Sequence, residues 1–458
     1  MANVESTIPR LFGTDGVRGI AGRYPLDHAT VRRLGAALIR ALTASRGAAD
    51  RNRPLKLLVG RDTRESGAWI EAELAHGVAG EGATLTSAGV VPTPAVAYLT
   101  RTQGFDAGVV ISASHNPFED NGIKVFSGKG EKFTERVERE VEAIMADPSW
   151  TTKPGTAKPV MPVDLTAAYL DHLRVVFPES DRLKGLSLAI DCANGATTTV
   201  APPLFADLGL RTTWIGTQPD GRNINLECGS THPELLAQMV VERGCDIGVA
   251  FDGDGDRAIF IDHTGKTVDG DAVLLMCGRQ LQQEARLKGN AIVATVMSNI
   301  GLELALKPLG IELVRTAVGD KYVMEEMLNR NLSLGGEQSG HIIFFDYLFT
   351  GDGLCTALNV LRTVALSGRS LDELAGDLVT YPQVLLNVRV REKVELKTVP
   401  PIAAAIDAVE ARVNGQGRLL VRYSGTEPLL RVMLEGRNER EIRAWAQEIV
   451  DAVKKHLG

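Results

Sequence analysis

Asp252-Gly-Asp-Gly-Asp-Arg257 places three carboxylates at alternate positions with only glycine between them. Such groups repel one another unless a cation sits among them. The glycines free the backbone to turn all three toward one point. A hard, oxygen-seeking divalent ion, Mg²⁺ or Ca²⁺, is the natural occupant. The apolar run Ile247-Gly-Val-Ala-Phe251 before it reads as a buried strand. The loop therefore sits at a strand's C-terminal end, where α/β folds hold their ligands. An EF-hand starting at Asp252 would need Gly at position 257 and a bidentate Glu at 263, and those positions hold Arg257 and His263. A solvated acidic turn is the other alternative, and so apolar a strand argues against it.

The same frame occurs earlier. Asp106-Ala-Gly-Val-Val-Ile111 leads into Ser112-Ala-Ser-His-Asn-Pro117 just as Asp246-Ile-Gly-Val-Ala-Phe251 leads into the acidic loop. Leu57–Asp62, Leu188–Asn194 and Ile292–Asn299 each look like a short strand ending in a polar loop. Each is followed by a glycine and a helical stretch, over 65–80, 196–208 and 301–308. This predicts three α/β units of similar plan.

A chain of 458 residues is too long for one core and implies about three or four domains at ~100–150 residues each. Lys153–Pro162, rich in proline, marks the first boundary. The expected domains are 1–155 with the serine loop, 156–263 with the acidic loop, 264–378, and 379–458. In the last, Gln383–Arg391 alternates as a strand, helical stretches cover 402–413 and 439–456, and strands cover 418–423 and 429–434. That order suggests a small α+β domain rather than a fourth copy. The net charge of −7 is spread along the chain, with no basic footprint for nucleic acid. The polar start lacks the apolar core of a signal peptide, and no apolar run approaches the ~20 residues that span a bilayer. Cys192, Cys228, Cys245, Cys277 and Cys355 are odd in number and form no Cys-x-x-Cys pair. They read as free thiols of a cytoplasmic protein.

Four further loops carry chemistry. Phe12-Gly-Thr-Asp-Gly-Val-Arg-Gly19 offers Arg18, whose guanidinium matches phosphate oxygens, although a glycine turn with a surface arginine has the same wording. Ser114-His115-Asn116-Pro117 is either an Asn-Pro turn or a loop presenting Ser114 as nucleophile or phosphate carrier, with Lys124 as acid/base or phosphate contact. It is not a nucleophile elbow, since no Gly-x-Ser-x-Gly occurs. Gly336-Glu-Gln-Ser-Gly-His341 reads as a hairpin turn in which Glu337 and Ser339 suit sugar hydroxyls. Arg422-Tyr-Ser-Gly-Thr-Glu-Pro428, with Arg431 beyond, has the composition of a phosphate cradle or of a polar hairpin. Gly265-Lys-Thr267 is not a Walker A loop, because Phe260 stands where the first glycine must be.

These five loops, in this order, resemble the α-D-phosphohexomutase superfamily over essentially the whole chain. The resemblance implies three similar α/β domains with mixed sheets plus a smaller, flexible C-terminal α+β domain, heart-shaped around a central cleft. It implies that Ser114 is phosphorylated and that Asp252, Asp254 and Asp256, with a phosphoserine oxygen, hold Mg²⁺. Arg18, His115, Lys124 and Arg257 would surround the transferring group. Glu337 and Ser339 would grip the sugar, and Arg422, Ser424, Gly425, Thr426 and Arg431 the phosphate that is not reacting. The implied activity is interconversion of sugar 6- and 1-phosphates through a 1,6-bisphosphate. Gln338, where glucose and mannose members usually carry Met, points to glucosamine phosphates and the supply of UDP-N-acetylglucosamine. Relatives of this type are often dimers. A kinase, the bisphosphate and autophosphorylation are the routes left open for loading Ser114.

Overall fold

The computed structural model describes residues 10–13, 15–47, 53–153, 161–413, 415, 417–424 and 428–458. Most of the proline-rich linker, together with Gly425 and Thr426, lies outside the described residues. The chain forms two compact units, Met1–Met297 with Leu313–Ala375, and Ser298–Glu312 with Gly376–Gly458.

The first unit is built on a repeated sheet plan. Strands β1 (Val17–Ile20), β2 (Lys56–Arg61), β3 (Thr84–Val90), β4 (Ala107–Ile111) and β5 (Asp120–Ser127) lie in the order β1-β5-β4-β2-β3. Strand β2 runs parallel to β3 and β4, while β5 turns back antiparallel between β4 and β1. Strands β6 (Ser187–Asp191), β7 (Arg211–Ile215), β8 (Ile247–Phe251), β9 (Ala258–Asp262) and β10 (Thr267–Val268) repeat the plan in the order β10-β9-β8-β6-β7. Again β6 is parallel to β7 and β8, and β9 and β10 are antiparallel additions. A third sheet of β11 (Ala291–Thr295), β12 (Glu312–Thr316), β13 (Leu334–Gly336) and β14 (Ile342–Phe344) has the order β12-β11-β13-β14, with β13 parallel to β11 and β14 antiparallel to β13. These are the mixed sheets expected of three similar α/β units.

Burial explains the wording of the strands. Every residue of β4 and of β8 is buried, which is why both read as unbroken apolar runs rather than alternating ones. Beside the first sheet, helices His28–Ser45 and Gly67–Gly80 pack at glycine contacts. A Cβ at Gly77 would stand 2.0 Å from the Arg32 carbonyl oxygen, and one at Gly35 2.6 Å from that of Leu74.

The second unit carries β15 (Gln383–Arg389), β16 (Gly417–Tyr423) and β17 (Leu429–Gly436) as an antiparallel sheet in the order β15-β17-β16. Helices Pro400–Val413 and Glu439–Leu457 close its core over Val384, Leu430, Ile402 and Ile449. Helix Ile300–Leu306 also belongs to this unit. Its N-cap, Asn299, exchanges two hydrogen bonds with the Tyr381 backbone, each of 3.0 Å. The five cysteines are buried free thiols. Among the described residues no helix is long and apolar enough to cross a membrane.

The helix contact predicts an inverted substitution effect. Alanine in place of a helical glycine ordinarily gains about 1 kcal/mol. Gly77→Ala is expected instead to destabilise by about 1–3 kcal/mol through overpacking, read as a lower unfolding midpoint in denaturant.

Candidate active site and metal centre

Each of the three repeated sheets sends one loop into a common site, and in each case the loop follows the equivalent strand. The serine loop joins β4 to β5, the acidic loop joins β8 to β9, and Glu337–His341 joins β13 to β14. The frame shared by Asp106–Ile111 and Asp246–Phe251 is thus one topological position used twice, and the third sheet uses it again.

Asp252, Asp254 and Asp256 are buried, and one carboxylate oxygen of each lies within 4.8 Å of the others. Burial, then repulsion from Asp256 and Asp254, pushes Asp252 well above the carboxylate range. The buried Asp254 Oδ1 has no hydrogen-bond partner, and Asp256 Oδ1 has only the longer ion-pair contacts to His341 at 3.5 Å and Arg257 at 3.8 Å. Crowded carboxylates with orphaned oxygens are the donor set of an oxygen-ligated divalent cation. Ser114 supplies a further oxygen: its hydroxyl donates to Asp252 Oδ2 at 2.5 Å, and its Oγ lies 3.3 Å from His115 Nδ1.

Lys124, on β5 opposite Val110, is buried with its Nζ 2.9 Å from Asp254, 3.0 Å from Asp15 and 3.3 Å from Asp256. Burial alone would lower its pKa, yet Asp15, Asp254 and Asp256 raise it well above the usual value. Asp15 is also paired with Arg18 and, at 2.5 Å, with Lys132. Burial opposes its ionisation, and Lys124, Lys132 and Arg18 nevertheless hold it well below the usual range. Lys132 reaches on to Asp320 of the third sheet's segment. His341 completes the ring, with Nδ1 3.5 Å from Asp256 and Nε2 3.4 Å from Asp320. In contrast, His115 is pushed down to about 4, by burial first and then by Arg257 and Arg18. It is a neutral imidazole beside the serine.

Arg257 keeps its backbone N–H on Asp252 Oδ1 at 3.2 Å and its Nε 3.8 Å from Asp256. It lines a cavity of about 520 Å³ together with Arg18, His115, Asp320, Glu337 and His341. That volume suits a small polar metabolite. Glu337 accepts the Gly319 N–H at 3.1 Å, and Ser339 is exposed and not among the lining residues. Gln338 spends its amide on Asp269, the N-cap of helix Gly270–Gln283, at 3.0 Å. In the second unit, Arg422 and Arg431 stand opposite each other on β16 and β17, and the Ser424 carbonyl accepts the Lys393 ammonium at 2.6 Å.

Several contributors were not singled out from the sequence. Thr93, at the start of helix Thr93–Thr102, donates its hydroxyl to Asp254 Oδ2 at 2.6 Å and its N–H to the Asp254 carbonyl at 2.9 Å. Arg64 and Asn225 both donate to the Ser114 carbonyl. Asp15 was visible as the acid of its glycine loop, whereas isolated Thr93, Arg64 and Asn225 carry no local signal.

The donor set predicts cation-dependent stability. Added Mg²⁺ is expected to raise the melting temperature, with about 2.7 kcal/mol of stabilisation at a hundredfold excess over its dissociation constant. The nearly isosteric Asp254→Asn should flatten that dependence in a thermal-shift titration.

Comparison with known proteins places this arrangement. The phosphoglucomutase/phosphomannomutase models match in sequence: alpha/beta/alpha domain I over residues 9–152, domain II over 167–265, domain III over 269–381 and the C-terminal domain over 385–452. A phosphoglucosamine mutase of Solibacter usitatus is 49% identical over 98% of this chain and 99% of its own length. One of Syntrophotalea carbinolica is 45% identical, with 98% of each chain covered. In fold, a phosphoglucomutase/phosphomannomutase family protein of Burkholderia thailandensis aligns with a TM-score of 0.78 at 23% identity, covering 97% of both chains. An Aspergillus fumigatus N-acetylphosphoglucosamine mutase, solved with GlcNAc-6P and magnesium, aligns with a TM-score of 0.67 at 19% identity, over 97% of this chain and 95% of that one. With a buried acidic triad, a serine set against it and relatives of this identity over 98% of its length, the chain belongs to the phosphoglucosamine mutase family of the phosphohexomutases.

Proposed function

We propose that this protein interconverts glucosamine 6-phosphate and glucosamine 1-phosphate through a phosphoserine at Ser114 and a 1,6-bisphosphate. The observation that carries this reading is the Ser114 hydroxyl set 2.5 Å from Asp252, inside the acidic triad. A cavity sized for a sugar phosphate, lined by Arg18, His115 and Arg257, supports it. The proposed domains are those of the sequence reading, at 1–155, 156–263, 264–378 and 379–458.

In the forward half-reaction the sugar's O1 attacks the phosphorus of phosphorylated Ser114. As the P–O1 bond forms and the P–Oγ bond breaks, the Lys124 ammonium gives a proton to the departing Oγ and the resulting amine takes the O1 proton, with His115 assisting. The bisphosphate turns end for end. Ser114 Oγ then takes the 6-phosphoryl group, and the proton returns to the sugar's O6. Mg²⁺ on Asp252, Asp254 and Asp256 would polarise the phosphoryl oxygens and share the carboxylates that otherwise hold the Lys124 ammonium. Three carboxylates outweigh one divalent charge, so Arg18, Lys124 and Arg257 supply the positive charge that phosphoryl transfer needs. Glu337 and Ser339 engage sugar hydroxyls. Arg422, Ser424, Gly425, Thr426 and Arg431 bind whichever phosphate is not reacting, so one site serves both orientations. The buried free thiols suit a reducing cytoplasm.

The deciding experiment is a Mg²⁺-dependent assay, primed with glucose 1,6-bisphosphate, that compares glucosamine, glucose and mannose 6-phosphates. Preference for glucosamine 6-phosphate is expected. Equal or better use of the others assigns the glucose/mannose specificity, release of inorganic phosphate assigns a phosphatase, and no 1-phosphate from any of them removes the reading. Ser114→Ala is expected to abolish turnover with the melting temperature retained. Arg422→Ala should raise KM far more than it lowers kcat, because it holds a phosphate that does not react.

A further inference from the structure

Ser114 adopts a φ of +53°, in the left-handed region that is unfavourable for a residue with a side chain. Both sides of its backbone are fixed. Its N–H donates to Ser112 Oγ at 2.9 Å, and Ser112 in turn donates to Asp62 at 2.5 Å. Its carbonyl accepts from Asn225 Nδ2 at 2.9 Å and from Arg64 Nη2 at 3.3 Å. The same two groups also donate to the Asn116 carbonyl, at 3.1 and 2.6 Å. Arg64 is completely buried and aimed by Asp62 at 2.8 Å. Asn225 comes from the second repeat and is itself left-handed, with φ +57°. A Cβ at Gly253 of the acidic loop would stand 2.6 Å from the Ser114 carbonyl oxygen and 2.8 Å from Asn225 Nδ2. The carbonyl is therefore clamped against the loop that its own hydroxyl addresses.

We propose that Asn225 and Arg64 are positioning residues for phosphoryl transfer. Their paired donors hold the left-handed Ser114 so that its Oγ faces the acidic triad. This rests on the reading of Ser114 as phosphoryl carrier. Neither residue lines the cavity, so the clamp acts on the serine and not on the sugar.

The test uses the full chain with two substitutions. Asn225→Asp keeps shape and tolerance of the left-handed backbone while it turns a donor toward two carbonyls into an acceptor. Asn225→Gly removes the side chain and keeps the backbone conformation accessible. For both, kcat should fall about 10–100-fold while KM for glucosamine 6-phosphate stays within about twofold. Single-turnover formation of phospho-Ser114 from glucose 1,6-bisphosphate, followed by intact mass, should slow by the same factor, and the Mg²⁺-induced rise in melting temperature should persist. Should the aspartate variant not fold, the glycine variant decides alone. Wild-type kcat in the folded variants, a loss expressed mainly in KM, or loss of the Mg²⁺ response would each overturn the proposal. A wild-type protein without mutase activity would remove the reading of the reaction, and this inference with it.

Discussion

Carboxylates that are out of water and close together are the constraint around which the first unit is organised. Isolated, each buried charge would carry a penalty of several kcal/mol, and removing a partner from such a set leaves the rest uncompensated. Lys124 answers Asp15, Asp254 and Asp256 at once, and Lys132 extends the alternation from Asp15 to Asp320. His341 lies between Asp256 and Asp320. Residues from all three repeated segments thus share one alternating network of charge. The ion pairs that join the segments are the same ones that set the protonation of Lys124 and Asp15.

The repeated sheet makes this convergence possible. In each copy a parallel strand ends in a short loop and the chain returns as an antiparallel neighbour, so the loop projects from one edge of the sheet. One copy delivers a hydroxyl, one delivers acids, and one delivers a carboxylate at the rim of the cavity. The acidic loop is braced by its neighbours on both sides: Thr93 donates its N–H to the Asp254 carbonyl, and the Gly353 N–H reaches the Gly255 carbonyl at 3.0 Å.

Much of this was legible where chemistry and pattern coincide in a few consecutive residues. Strands β4 and β8 read as buried because all their positions are buried, and the acidic loop read as a cation site because three carboxylates separated only by glycine repel one another unless a cation sits among them. The small C-terminal domain read correctly from alternation: β15 presents Val384 and Val388 to the core and its neighbours to solvent. Arg64 and Asn225 were illegible because their partners lie 50 and 111 positions away, and a single arginine or asparagine in a polar loop has no local pattern. Membership of helix Ile300–Leu306 in the second unit was hidden for the same reason, since it rests on the long-range pairing of Asn299 with Tyr381. Gln338 was read for what it suggests about the sugar, and the fold employs it to fasten Asp269.

The three loops are unequally free to diverge. Gly253 and Gly255 of the acidic loop are hemmed in, the first by the Ser114 carbonyl and the second by Thr197 and Pro92, and Gly255 is left-handed as well. The third loop also holds a confined, left-handed glycine, Gly340, whose Cβ would stand 2.4 Å from the Ala258 carbonyl oxygen, but Ser339 beside it faces solvent. Descendants of such a chain would change more readily at Ser339 than at Gly253 or Gly255, because a new side chain at 339 meets solvent where one at 253 or 255 meets a neighbouring segment.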